Sequence, residues 1–139
     1  SSGRKMLRWD DDMNKIKVIT EQFSFLVDFK FSYKQQNSGY ECTFKNGNIN
    51  IFLTESGDYR DEHHIDFVIK KGTKILFTFY YEPMVNCSLA GVEQMSTAVN
   101  SIYLSAKHSK KGFTKIDFLK VIQLYAEFVE ANLYQIMNS

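Results

Sequence analysis

The chain has 139 residues and 16.2 kDa, with a formal charge of +1 and 24% charged residues. That length suits one domain, able to bury about 70% of the surface its unfolded form exposes. The balanced charge excludes a global field that would draw nucleic acid or an anionic membrane, and 12 Phe, 8 Tyr and 1 Trp suit an aromatic, β-rich core.

Residues 1–5 read as a vector remnant ahead of Met6, leaving 6–139 as a single domain. The first element follows Asp10, Asp11 and Asp12, acids that suit a helix N-terminus better than a metal site. Ile16, Ile19, Phe23, Leu26 and Val27 then recur at spacings of three and four, which predicts a helix over 12–29. Trp9 stands just before the cap, placed either to staple onto the first turn or to make an exposed contact.

From Phe31 the period becomes two, with Phe31 and Tyr33 alternating with Ser32 and Lys34 before turn residues at 35–39. Tyr40, Cys42 and Phe44 share one face of the second strand; Ile49, Ile51 and Leu53 share one face of the third. Asn46-Gly47 between them is read as the central pair of a two-residue hairpin turn, where positive φ is required. A fourth strand spans 64–69. A fifth spans 73–81, with Ile75, Phe77, Phe79 and Tyr81 on one face, and the single Pro83 closes it because proline cannot donate to a ladder.

Residues 88–106 carry Leu89, Val92, Met95, Val99, Ile102 and Tyr103 at helical spacing, and a basic link follows from Lys107 to Gly112. Thr114 with Asp117 forms a capping-box pattern ahead of a final helix over 115–137, whose stripe is Phe118, Ile122, Tyr125, Val129 and Ile136. The order is helix, a four- to five-stranded antiparallel meander, then one or two C-terminal helices. This is an α+β domain with the helices on one sheet face.

Chemistry is sparsely signalled. His63, His64, Glu62 and Asp66 form a cluster of ligand-type side chains, yet neighbours on a strand point to opposite faces and the spacing fits no familiar metal site. There is no Gly-x-Ser-x-Gly elbow, Walker loop or Gly-x-Gly-x-x-Gly run. No catalytic residue, metal or cofactor is assigned. Lys107, Lys110, Lys111, Lys115 and Lys120 make a basic segment without the interleaved aromatics of a base-stacking platform, so nucleic acid is not the expected partner. Cys42 and Cys87 are too few for a disulfide framework and read as free thiols in a reducing cytoplasm. No run of about 18 apolar residues is present to cross a membrane, and no membrane partner is expected.

What stands out is the stretch 55–66, in which Glu55, Asp58, Asp61, Glu62 and Asp66 face a single Arg60 beside Tyr59. Local charge of this kind steers association with a protein partner, and Tyr and Arg are favoured at interface hot spots. The expected partner-binding residues are therefore Glu55, Asp58, Tyr59, Arg60, Asp61 and Glu62. The alternative is a small ligand-binding or enzymatic domain with its site between sheet and helices.

A leading helix ending in 29–33 (Phe-Lys-Phe-Ser-Tyr), then Gly39-Tyr40-Glu41, then Asn46-Gly47-Asn48-Ile49, then a closing Leu124 to Leu133 segment, resembles the small bacterial immunity proteins that accompany contact-dependent or polymorphic toxins. The resemblance implies a non-enzymatic cytoplasmic inhibitor that masks a toxin domain by direct binding.

Overall fold

Asp11 starts the first helix as expected: its Oδ1 accepts a hydrogen bond from the Met13 amide at 3.0 Å, capping α1 (Asp12–Gln22). The computed structural model describes residues 9, 11–36, 38–56 and 64–139. Helix α1 is shorter than the stripe suggested. Beyond Gln22 the chain folds into successive turns, Leu26 N donating to Phe23 O and Phe29 N to Leu26 O. Phe23 and Leu26 still reach the core, but Val27 is 83% exposed. The ring of Phe23 stacks on Phe44 at 5.1 Å, so packing onto the sheet replaces further helical turns.

The sheet has six antiparallel strands in sequence order: β1 (Lys30–Gln36), β2 (Gly39–Asn46), β3 (Ile49–Ser56), β4 (Ile65–Lys71), β5 (Lys74–Phe79) and β6 (Pro83–Val85). The β2–β3 loop consists of Gly47 and Asn48, because Asn46 pairs with Ile49. The sequence reading, centred on Asn46-Gly47, was thus two residues out in register, and the faces are unchanged because two is the side-chain period. Gly47 has φ +60° at the first loop position, which both primed hairpin turns require.

The fifth strand departs further. Ile69 pairs with Phe77 and Lys70 with Ile75, leaving Leu76 as an extra, bulged residue. The bulge turns Leu76 into the core and leaves Ile75 40% exposed, against the simple alternation expected. Phe79 ends β5, so Tyr81 lies beyond it and is 60% exposed. Pro83 opens a sixth strand, where a five-stranded sheet at most was expected. It stands on the sheet edge, where a missing N–H is tolerated.

Helix α2 (Val92–Lys107) begins after Gly91, whose φ of +78° breaks the pattern that suggested a start near 88. Helix α3 (Lys115–Ala131) begins with the predicted Thr114/Asp117 capping box. The chain breaks at Asn132 before α4 (Leu133–Met137), so the helix expected over 115–137 is two. Asn132 is 2% exposed, its Nδ2 donating to the carbonyls of Ala90 and Phe128 and its Oδ1 accepting from the Ala90 amide. That side chain fastens the loop before α2 to the end of α3. It replaces the helical continuation because its buried polar atoms need partners.

The helices lie on one face of the sheet. Tyr125 and Phe128 of α3 meet Phe67, Phe77 and Phe79 at ring separations of 4.6 to 6.2 Å. Helix α2 reaches β4 through Tyr103, whose hydroxyl accepts from the Ile65 amide. Among the described residues no helix is long and apolar enough to cross a membrane.

Candidate functional site

Alternation across the ladder gives the sheet two unlike faces. The inner one, under the helices, carries Tyr40, Cys42, Phe44, Ile51, Leu53, Ile65, Phe67, Ile69, Phe77 and Phe79, all buried. The space between sheet and helices is filled by these side chains and by Phe118, Ile122, Tyr125 and Val129, where the alternative reading placed a ligand pocket.

The outer face is organised in rows that run across the strands. Ser32, Thr43, Phe52, Val68, Thr78 and Met84 are successive cross-strand partners and form a central band of apolar and hydroxyl groups. Thr43, Phe52 and Val68 are half-buried, Thr78 is buried, and Met84 is 65% exposed. On one side of the band run Lys30, Lys45, Asn50 and Lys70; on the other run Lys34, Glu41, Thr54 and Asp66. The face therefore has an apolar centre between a basic row and a row that carries its carboxylates. Burial pushes the Asp66 carboxyl up to about 6, so its charge changes in the mildly acidic range.

Glu55 does not belong to an exposed acidic loop. It continues the inward series Ile49, Ile51, Leu53 on β3 and is 6% exposed. Lys15 of α1, 4% exposed, donates to both of its oxygens at 3.0 and 3.1 Å, and the Tyr40 hydroxyl donates to Oε1 at 2.9 Å. The Lys15 ammonium also lies 5.4 Å from the Trp9 ring and 5.6 Å from that of Phe118. Trp9 thus packs onto Phe118 and Lys15, bordering a shallow groove of about 330 Å³ that Lys17, Val18 and Glu21 also line. Burial, then the Glu55 carboxylate, holds the Tyr40 phenol well above its usual range. The signal for this pair was present in the sequence: Lys15 adjoins the core stripe of α1, and Glu55 sits two residues beyond Leu53.

Asp58, Tyr59, Arg60, Asp61 and Glu62 lie outside the described residues, as does His63. His64 packs its ring between Tyr81 and Tyr103, with centroids 4.4 and 4.5 Å away. Among the described residues no three His, Cys, Asp or Glu side chains converge as metal ligands would. Lys107, Lys110, Lys111, Lys115 and Lys120 are all exposed, from the end of α2 into α3. Cys42 is fully buried, and burial pushes its thiol up to about 12, which makes it a poor nucleophile near neutral pH.

No protein-family model, curated protein or solved structure matches this chain.

Proposed function

We propose that the protein is a non-enzymatic binding module that holds a protein partner against the outer face of its sheet. The observation that carries this reading is the central row in which Thr43, Phe52 and Val68 are half-buried and Met84 is exposed, with Thr78 buried among them, between charged rows on a face that no described helix covers. An apolar centre with a charged rim is the anatomy of a recognition surface. The unlike flanking rows, basic through Lys30, Lys45 and Lys70 and carboxylate-bearing through Glu41 and Asp66, orient a partner with the opposite polarity. The filled space beneath the helices favours this surface over an internal ligand site.

The resemblance to toxin immunity proteins gives the partner its most concrete form: a toxin domain, masked by direct binding in the cytoplasm, where Cys42 and Cys87 stay reduced. The acidic stretch 58–62, which lies between β3 and β4 in the sequence, is proposed to add negative charge that steers the same partner.

The test is to purify the product of the neighbouring reading frame and titrate it with this protein. Saturable one-to-one binding, with loss of the partner's activity on complex formation, is the expected result. A partner that stays fully active at saturation would remove the inhibitory role, and no binding at all would remove that partner.

A further inference from the structure

Among the described residues the sheet guards one edge and leaves the other open. Strand β6 has three residues and places Pro83 where an N–H would face away from β5, so little remains to template another strand. Strand β1 has seven residues, no proline, and an unbroken register with β2.

In an antiparallel pair, residues alternate between exchanging both backbone bonds with the neighbour and turning both groups away. Gln36 and Gly39 close a two-residue loop and are therefore a bonded pair, as are Lys34 with Glu41 and Ser32 with Thr43. Phe31, Tyr33 and Gln35 then present N–H and C=O to the free edge. The same alternation, carried across the sheet, points the backbone of Ile65 toward β5 beyond that strand's last residue. There its N–H donates to the Tyr103 hydroxyl at 3.0 Å, and its C=O accepts from the Tyr125 hydroxyl at 2.8 Å. At that side of the sheet two phenols stand in for a missing strand; at β1 the corresponding groups await one.

We infer that β1 is a self-association edge, joining two copies of this chain through antiparallel β1 strands related by a two-fold axis at Tyr33. The register is selected by charge. With the axis at Tyr33 all seven residues overlap, Lys30 faces Gln36 and Lys34 faces Ser32 of the second copy, and about six backbone hydrogen bonds form. Moving the axis to Ser32 sets Lys30 opposite Lys34. Moving it to Lys34 sets that lysine opposite itself, at a non-bonded position with Cα atoms about 4.5 Å apart, where like charges repel. Tyr33 is 47% exposed and stacks on Phe31, which packs on Phe44 at 5.0 Å. Pairing therefore extends the inner aromatic layer across the axis, Tyr33 against its own copy.

Sedimentation equilibrium of the full chain over a concentration series tests this, with Ser32→Lys and Ser32→Glu as variants. Ser32 is exposed, so both keep the fold, checked by thermal melting. The expected result is a reversible dimer that Ser32→Lys weakens and Ser32→Glu tightens, each about threefold to thirtyfold at low salt. Amides of Phe31, Tyr33 and Gln35 gain protection from hydrogen exchange as concentration rises. A monomer at every concentration, any other ordering of the three proteins, or a dimer that leaves those three amides unprotected overturns the inference.

Discussion

The two faces of the sheet are made by the same strands, yet they differ in what one side chain can do. Phe67 and Val68 are neighbours on β4. The first is fully buried against the rings of Phe77, Tyr125 and Phe128, and the second lies in a half-open row between Phe52 and Thr78. The inner face buries its apolar area in the fold; the outer one carries a smaller apolar band that stays partly exposed. The contrast extends to charge. Among the described residues the inner face buries an ion pair between Lys15 and Glu55, whereas the outer face spreads Lys30, Lys45 and Lys70 along one row and Lys34, Glu41 and Asp66 along another.

Substitution at adjacent positions breaks this comparison most sharply. Phe67→Ala removes a ring from a filled core and is expected to cost about 3–5 kcal/mol, while Val68→Thr costs under about 1 kcal/mol. Urea unfolding of both variants checks this, and equal losses would erase the distinction between the faces. Lys15→Met strands the Glu55 carboxylate in the interior and is expected to cost about 3–5 kcal/mol. The double change Lys15→Met with Glu55→Leu returns to within about 2 kcal/mol of the parent. Failure of the double variant to recover would mean that the pair is not the closed unit described.

A smaller effect is expected at the β2–β3 turn. Gly47 has φ +60°, and a Cβ there meets nothing within 4 Å, so Gly47→Ala costs only the left-handed strain, about 1–2 kcal/mol. Thermal melting checks it. An effect that depends on pH belongs to Asp66 on the outer face. Its folded carboxyl titrates near 6 because of burial, above its ordinary value of 3.8. Folding therefore disfavours its charged form, and the parent gains stability as pH falls from above 6 toward 4. Asp66→Asn lacks that gain: the variant's advantage at pH 8 shrinks toward zero at pH 4 in paired urea titrations. A constant difference across that range would place Asp66 in open solvent.

Strand identity and facing were legible because alternation is a local signal: Tyr40, Cys42, Phe44, Ile49, Ile51 and Leu53 all point inward as their spacing required. The cap at Asp11 and the box at Thr114 were legible for the same reason. What was missed depends on distant partners. Leu76 bulges only because β4 holds the neighbouring register, and Asn132 breaks the last helix because Ala90 lies 42 positions away with backbone groups to satisfy. Of the site, Glu55 misled: its place in an acidic run suggested an exposed loop, while its period-two phase with Leu53 and a lysine on α1 drew it inward. The outer rows could be assembled only once the strand order was in hand.

Recognition by the outer face is tested most directly by isothermal titration of the binding partner with Val68→Glu, alongside an exposed-helix control, Glu93→Lys. A glutamate in the central apolar band is expected to weaken affinity by about a hundredfold or more while the protein stays folded at the temperature of the titration, checked by thermal melting, and the control binds as the parent does. Parent-like affinity for Val68→Glu would contradict recognition through this face.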